Sequence, residues 1–296
     1  MADYGKNFVQ LHNHTHYSLL DGASKIPDLA KRAAELEMPA VGITDHGNMH
    51  GAYEMYTNCV ANGVKPIIGI EAYVTPETAR QDKSRVHWGT EAQRRDDVSG
   101  GGLITHLTMW AENDEGLVNL IKASSVANLE GRVMRYPRMD KEVLSTYSKG
   151  VIASSGCPSG IIQTRLRLGQ FDEALRAAGE FQDIFGKDNF FIELMDHGLT
   201  IENQVTDDLL TIAKKLDAPL LATNDSHYVH AEDAGAQDAM LCINSGSRLD
   251  DPDRFKFDGT GYYIKTAEEM REAVQGSSRR LRQYVAHCRT LQRHVR

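Results

Sequence analysis

Side chains that bind metal ions recur along this sequence of 296 residues. The most compact group is Leu11-His12-Asn13-His14, in which two histidines stand two positions apart. Because residues i and i+2 of an extended chain face the same side, both imidazoles can bind one ion. Seven further candidates follow, so that the predicted ligands are His12, His14, Asp21, His46, Glu71, His106, Cys157, Asp225 and His227.

The number of candidates indicates more than one ion. A zinc ion takes about four protein ligands, or about three with a water molecule at a catalytic site. Two or three clustered divalent ions therefore fit the set better, with a carboxylate such as Glu71 between them. Imidazole and carboxylate suit zinc, manganese or iron, and the thiolate of Cys157 favours zinc at one position.

Charge points to a phosphoester substrate. The formal net charge is −8, so the bulk charge attracts neither nucleic acid nor an acidic membrane. Three divalent ions among Asp21, Glu71, Asp225 and ionised Cys157 would instead leave a local pocket of about +2. Bound ions lower the pKa of water toward ~7 and stabilise the attacking and leaving oxygens. The residues predict phosphoester hydrolysis by metal hydroxide, with Asp21, His14 and Asp45 as the catalytic side chains and Asp45 orienting the water.

Short apolar runs alternate with helical patterns, which indicates an α/β protein with a parallel sheet. An open doubly wound sheet and a closed barrel both fit this alternation. The ligands fall near the ends of predicted strands, the rim at which α/β proteins place their sites. The predicted strands are Phe8–Leu11, Ala40–Thr44, Pro66–Val74, Leu103–Trp110, Val151–Ser154, Phe190–Leu194 and Pro219–Thr223. The predicted helices are Ile26–Leu36, Ala52–Ala61, one from the cap Asn113 through Ala127, Asp172–Phe185, and one carrying Val205, Leu209, Ile212 and Leu216.

Composition excludes several classes. Hydrophobic residues make up 41% and charged residues 25%, values typical of a soluble globular protein. No apolar run approaches the ~20 residues of a membrane helix, and the first residues lack the apolar core of a secretion signal. The four cysteines lie far apart, which does not indicate a disulfide framework. We therefore expect a cytoplasmic protein, associated with the nucleoid if it acts on DNA, with no membrane partner.

Two segments interrupt the alternation. Residues 76–102 are polar and end in three glycines, which is typical of a solvated loop; a lid or phosphate-guiding loop is the alternative, in which His87 and Trp88 could stack on a base. Residues 275–296 contain six arginines and no acidic residue. We predict a domain boundary there, with residues 1–274 forming the barrel and 275–296 a basic tail of uncertain origin.

Several motifs together match one known family. They are Leu11–His14, Tyr17–Gly22, Gly42–Gly47, Pro66–Glu71, Tyr136–Arg138, Ser154–Cys157, Ala222–Tyr228, Asp250–Pro252 and Glu268–Met270. In these segments the chain resembles the PHP (polymerase and histidinol phosphatase) domain, in the version found at the amino terminus of bacterial C-family replicative DNA polymerases. The resemblance extends from about Phe8 to Ala273 and so covers nearly the whole chain.

The resemblance implies a fold and a set of metal ligands. The fold would be a distorted (βα)7 barrel of the PHP type with a trinuclear metal site. By position, His12, His14, Glu71 and Asp225 would bind one ion, Glu71, His106 and Cys157 a second, and Asp21, His46 and His227 a third. Arg138 is predicted to contact a phosphate and His197 to line the substrate groove; structural roles are the alternatives for both.

The resemblance also implies three functional hypotheses. The leading one is a 3′–5′ proofreading exonuclease that acts on the 3′ end of DNA beside the remainder of a replicative polymerase. All nine ligand positions carry competent residue types, which favours activity. A catalytically silent, metal-stabilised scaffold and a free-standing phosphatase of small substrates are the alternatives. The longer polypeptide that the resemblance implies would be a DNA-directed DNA polymerase.

Overall fold

Strands and helices alternate along the residues that the computed structural model describes, which are 8–19, 21–93 and 101–276. The strands are β1 (Ala40–Ile43), β2 (Lys65–Val74), β3 (Thr105–Ala111), β4 (Arg138–Met139), β5 (Val151–Ser154), β6 (Phe190–Leu194) and β7 (Leu220–Ala222). The helices are α1 (Ile26–Glu35), α2 (Ala52–Ala61), α3 (Asp114–Glu130), α4 (Lys141–Thr146), α5 (Ile161–Arg167), α6 (Phe171–Phe185), α7 (Thr200–Asn203), α8 (Thr206–Leu216), α9 (Ala234–Ser245) and α10 (Ala267–Gly276).

The strands form one sheet in the order β1-β2-β3-β5-β6-β7, with the short β4 beside β2. Neighbouring strands are parallel except that β3 is antiparallel to both β2 and β5. The prediction of an entirely parallel sheet was therefore wrong at β3. A parallel connection needs a crossover, usually a helix. The described part of the connection between β2 and β3 contains no α-helix, and β3 returns alongside β2.

The sheet closes on itself through residues 10–14. Gln10 and Asn13 accept hydrogen bonds from the backbone of β1 and the residue after it, at Gly42 (2.8 Å) and Thr44 (2.9 Å). On the other side, the His14 amide donates to Ser226 (2.7 Å), just beyond β7. The predicted strand Phe8–Leu11 is thus extended chain without a regular ladder. These contacts confirm an α/β fold with a distorted barrel.

The inside of the barrel changes from apolar to polar along each strand. Because side chains alternate between the faces of a strand, residues two positions apart line the same interior. One layer is apolar and consists of Val9, Leu11, Ala40, Ile67, Trp110, Ile152, Phe191 and Leu221. Further along the same inner faces lie the buried polar residues Glu71, Thr108, Ser154, Glu193 and Thr223. The apolar layer forms a floor beneath a polar layer.

Helices such as α1 pack outside the sheet through an apolar face. On α1 this face is Ile26, Leu29, Ala30 and Ala33, and Pro27 stands in the first turn, where a missing amide hydrogen costs nothing. The cap Asn113 accepts a hydrogen bond from the Gly116 amide at the start of α3, as predicted. Within the described ranges, every helix is too short or too polar to span a bilayer.

The long segment after β2 is largely exposed through residue 93 and is anchored at Trp88. The guanidinium of Arg165 on α5 lies 3.9 Å from the centre of the Trp88 ring, so one face of the indole is already covered. Residues 94–100 of this segment lie outside the described residues, as do residues 277–296 of the predicted basic tail. The boundary at residue 274 stays a prediction, and α10 continues two residues past it.

Candidate metal centre

The nine predicted ligands gather at one end of the barrel, around Glu71 in the polar layer. Glu71 Oε2 lies 2.6 Å from His46 Nδ1, 3.0 Å from His106 Nδ1 and 3.8 Å from His14 Nε2. Its other oxygen, Oε1, lies 3.3 Å from His12 Nε2. One carboxylate therefore faces four imidazoles, as expected of a bridging ligand.

The remaining ligands surround this core. Asp225 Oδ1 lies 3.0 Å from His14 Nε2 and 3.3 Å from His12 Nε2. Asp21 Oδ2 lies 3.2 Å from His46 Nε2, and the His227 ring stacks on His14 with centroids 4.4 Å apart. Cys157 completes the set, with its Sγ 3.5 Å from His106 Nδ1.

Local backbone geometry brings these distant segments together. His106 lies near the start of β3, and because β3 runs against its neighbours, its start lies at the rim where the parallel strands end. Asp225 turns the chain after β7 with a positive φ of 44°. At Gly47, where φ is 64°, an added Cβ would lie 2.7 Å from the Tyr73 ring, so glycine permits the close turn that follows His46.

Buried atoms of the cluster lack hydrogen-bond partners, although they approach one another closely. Eight such atoms belong to the predicted ligands: His12 Nε2, His14 Nε2, Asp21 Oδ1, His46 Nδ1, both Glu71 oxygens, Asp225 Oδ1 and His227 Nε2. A buried polar atom left unpaired costs about 1–3 kcal/mol. Three groups of these side chains have ligand atoms within 4.8 Å of one another. Nitrogen, carboxylate and thiol donors converging in this way fit divalent zinc or manganese.

The electrostatics favour a ligand-competent protonation state at His14 and Glu71 in particular. Burial lowers the pKa of His12 and His46, but neighbouring carboxylates, chiefly Asp225 and Asp21 respectively, outweigh burial and raise the pKa of each above its ordinary value. Burial, together with His46 and His227, lowers the pKa of His14 to about 3, so its imidazole is neutral at neutral pH. Burial raises the pKa of Glu71, but His106 and His46 outweigh burial and hold the pKa well below its ordinary value. Burial, Glu71 and Asp225 raise the pKa of Cys157 well above its ordinary value. A nearby cation is what would favour its thiolate.

A second layer of side chains orients the histidines, and Glu193 was missed from the sequence. This buried carboxylate lies 2.7 Å from His12 Nδ1 and accepts hydrogen bonds from Thr223 Oγ1 (2.6 Å) and from Ser154 Oγ. The pairing directs His12 Nε2 toward the cluster. The signal that could have found Glu193 is a lone acidic residue in the apolar strand Phe-Phe-Ile-Glu-Leu, since a buried charge needs partners.

Asp45, predicted to orient the attacking water, lies in this second layer. Its Oδ1 accepts hydrogen bonds from Ser18 Oγ (2.8 Å) and the Thr15 amide (2.6 Å). The Ser18 hydroxyl in turn lies 3.0 Å from His14 Nδ1. The carboxylate is buried behind His14, so the contacts favour a positioning role over direct contact with the water.

Arg138 and His197, predicted to contact substrate, are both buried and engaged elsewhere. The Arg138 guanidinium donates to the backbone carbonyls of Arg80, Asp82, Leu103 and Gly131. The two His197 ring nitrogens lie 2.7 Å from Glu202 Oε1 and 2.9 Å from the Asn224 carbonyl. The structure gives both residues structural contacts, because these partners occupy the groups that a substrate would need.

Comparisons with known proteins find relatives of this chain. The family model described as the PHP domain matches residues 10–197. The chain is 55% identical over 268 residues to the DNA polymerase III subunit alpha of Mycobacterium tuberculosis (strain ATCC 25618 / H37Rv), a match that covers 90% of this chain. It is 42% identical over 274 residues to the same subunit of Deinococcus radiodurans, covering 91% of this chain. The chain spans 23% and 20% of the lengths of these relatives.

Two solved structures are also similar. Histidinol phosphate phosphatase from Lactococcus lactis, complexed with zinc, L-histidinol and phosphate, has a TM-score of 0.37 and 14% identity, covering 81% of this chain and 94% of that chain. An amidohydrolase from Chromobacterium violaceum with bound sulfate has a TM-score of 0.44 and 14% identity, covering 74% of this chain and 87% of that chain.

Proposed function

The chain belongs to the PHP domain family, and from that premise we propose that it is the metal-dependent phosphodiesterase domain of a DNA polymerase III alpha subunit. We propose further that it removes nucleotides from the 3′ end of DNA as a proofreading exonuclease. The observation that carries the proposal is the group of unpaired, buried ligand atoms around Glu71. These atoms converge on one another without forming hydrogen bonds, and a bound cation would satisfy them together.

The proposed ligands divide into three sets, of which the first two share Glu71. His12, His14, Glu71 and Asp225 form the first. Glu71, His106 and Cys157 form the second, and Asp21, His46 and His227 the third. Zinc or manganese is the proposed metal, with iron also compatible with the donors. Short distances link members of the first two sets and link Asp21 to His46 in the third, while His46 also lies 2.6 Å from Glu71 and His227 stacks on His14.

The side chains around the centre differ in exposure, which suggests where a substrate enters. When bound, the ions supply a hydroxide near neutral pH and offset the charge of the phosphoryl group. His12, His14 and Glu71 are closed off, whereas Asp21, His46, His106 and Asp225 are partly open to solvent. Asp21 is the proposed catalytic carboxylate at this opening, where its unpaired Oδ1 can orient a water molecule. His14 contributes a neutral Nε2 deeper in the centre, 3.0 Å from Asp225 Oδ1.

The lengths of the relatives point to a larger setting. Because the chain spans less than a quarter of each of these relatives, we propose that it acts within a longer polymerase polypeptide. The proposed partners are the remainder of that polymerase and the 3′ end of a primer. The proposed location is the cytoplasm, at the nucleoid.

A primer-shortening assay tests the proposal. We expect the protein to shorten a 3′-mismatched primer in Mn²⁺ or Zn²⁺, and expect His14→Ala and Asp225→Asn to abolish the activity. Lys122→Gln, an exposed substitution on α3 outside the cluster, is the control and should retain it. Three bound metal equivalents without nuclease activity would favour the scaffold. Hydrolysis of histidinol phosphate but not of DNA would favour the small-substrate phosphatase.

A further inference from the structure

We propose that two aromatic and basic arms beside the metal centre bind the 3′-terminal nucleotides of single-stranded DNA. This inference rests on the proposed function and adds a substrate site to it. The first arm is Phe255-Lys256-Phe257, and the second is Arg135-Tyr136 with Tyr73. Neither arm includes a predicted metal ligand, and each contacts one.

The first arm leads from a ligand of the cluster to solvent. The Phe257 ring meets the His227 ring edge to face, with centroids 4.8 Å apart, and Phe255 follows at 6.0 Å from Phe257. Phe257 is half-buried, whereas the Phe255 side chain is 58% exposed and Lys256 between them is exposed. Exposing a large aromatic ring next to a polar centre suits a surface that stacks on bases.

The second arm contacts two other histidines of the cluster, His46 and His106. Tyr73 stacks near His46 and meets His106 edge to face, with centroids 6.1 and 5.4 Å away. Tyr136 meets Tyr73 at 5.0 Å, and the Arg135 guanidinium lies 5.3 Å from the centre of the Tyr136 ring. Arg135 is exposed, so its charge is accessible close to the opening of the metal centre.

Helix α9 fixes both arms in place. Arg254 directly precedes the first arm, and both of its terminal nitrogens donate hydrogen bonds to the Asp238 carboxylate, at 2.5 and 2.6 Å. Arg135 donates to Asn244 Oδ1 at 2.8 Å. Asp238 and Asn244 are six positions apart on α9, a spacing of about 9 Å along the helix axis. Two arms anchored on one helix keep a constant separation, which pre-organises a site for an extended strand.

The chemistry of the arms selects single-stranded nucleic acid. Aromatic rings alternate with cations along the arms, as bases alternate with phosphates along a nucleic-acid strand. Stacking of bases on aromatic rings does not depend on the base sequence. In a chain of net charge −8, Arg135 and Lys256 place positive charge beside a centre proposed to cut phosphodiesters. A duplex hides its bases within the stack, so a frayed, mismatched 3′ end fits the arms better.

Binding can be measured apart from cleavage. The 296-residue protein is titrated in EDTA with oligothymidylates that carry 2-aminopurine at either the 3′ or the 5′ end. We expect quenching at the 3′-terminal base, and expect Phe255→Ala to remove it and weaken binding roughly tenfold. Arg135→Gln and Lys256→Gln should each reduce the slope of log K against log salt by about 0.7.

Matched controls separate the arms from general surface effects. Tyr56→Ala removes a comparably exposed ring, 54% exposed on α2, and Lys122→Gln removes a charge on α3; both should leave binding and quenching unchanged. Equal quenching at both ends, undetectable binding by the wild type, or wild-type affinity in Phe255→Ala would overturn the inference. Binding as expected without cleavage in Mn²⁺ would reject only the exonuclease, and cleavage unaffected by Phe255→Ala would reject only the arms.

Discussion

Three histidines of the centre share one pattern of hydrogen bonds. His12 Nδ1 pairs with Glu193, His14 Nδ1 lies beside Ser18, and His227 Nδ1 lies 2.8 Å from the Asp225 carbonyl. In all three the other nitrogen, Nε2, is buried and unpaired. Fixing one ring nitrogen sets both the tautomer and the orientation of the other. The pattern explains why these imidazoles point inward.

Replacing Glu193 tests this second layer at the scale of one residue. In Glu193→Gln the amide group meets the hydroxyls of Ser154 and Thr223, and His12 loses its charged partner. We expect zinc affinity to fall by about 10–100-fold, as is usual when a partner of a ligating histidine is lost. Competition with a chromophoric chelator measures the affinity.

A matched substitution isolates the effect of position. Glu202→Gln alters another buried carboxylate bonded to a histidine, His197, which is not among the predicted ligands. Its zinc affinity should stay at the wild-type value. Equal losses in both variants would show that Glu193 acts through general stability and contradict a role in orienting His12.

Residues whose chemical type indicates a role, such as metal-binding side chains, can be found from the sequence. Residues whose role depends on what they contact in the fold cannot. Histidines, acidic residues and a cysteine near apolar runs are visible in the sequence, and all nine predicted ligands lie in the cluster. Arg138 is buried and Arg135 is exposed. This difference in burial depends on which backbone carbonyls lie near each guanidinium in the fold. Those carbonyls come from segments far apart in the chain.

At the scale of elements, Phe8–Leu11 forms no regular strand, whereas the bounds of the other predicted strands and helices agree with the structure to within three residues. The direction of a strand was the harder property to predict. Val151–Ser154 and Phe190–Leu194 match their predicted bounds, because buried strands read as continuous apolar runs. The antiparallel β3 could not be inferred, since an apolar run has no intrinsic direction. His106 reaches the rim because of that reversal. Its placement was therefore predicted correctly from an incorrect premise.

Arg138 links, through side-chain hydrogen bonds, segments whose contact could not be predicted from the order of strands and helices. Its guanidinium joins the segment after β2, the end of α3 and the start of the β3 region through the carbonyls of Arg80, Gly131 and Leu103. Arg138→Gln would leave several buried carbonyls unpaired, so we expect a loss of about 2–4 kcal/mol in the free energy of unfolding. Urea denaturation measures the change.

The neighbouring Arg132 provides the comparison. It is exposed, so Arg132→Gln should change the free energy of unfolding by less than about 0.5 kcal/mol. An Arg138→Gln protein of wild-type stability with a raised KM for DNA would contradict the structural role and restore the predicted contact with phosphate.

At the scale of the whole molecule, the polar layer of the barrel conflicts with its stability unless cations occupy it. The ring of hydrogen bonds through residues 10–14 closes the sheet next to His12 and His14, so that closure and ligand placement depend on the same segment. Buried acids and imidazoles that face one another without hydrogen bonds weaken that junction. The fold and the proposed centre are therefore expected to be thermodynamically coupled.

Metal removal tests that coupling. A ligand that binds only the folded state stabilises it by ~2.7 kcal/mol at 100 times its Kd, so each bound ion should raise the melting temperature by several degrees. We expect EDTA to lower the melting temperature and zinc or manganese to restore it. The gain should fade as pH falls, since protons compete with the ions for imidazole and carboxylate. In Asp225→Asn the response should shrink, whereas in His87→Ala it should persist. If the melting temperature of the wild type did not change with metal, the prediction would be wrong. Ions bound at the cluster would then add nothing to the stability of the folded state.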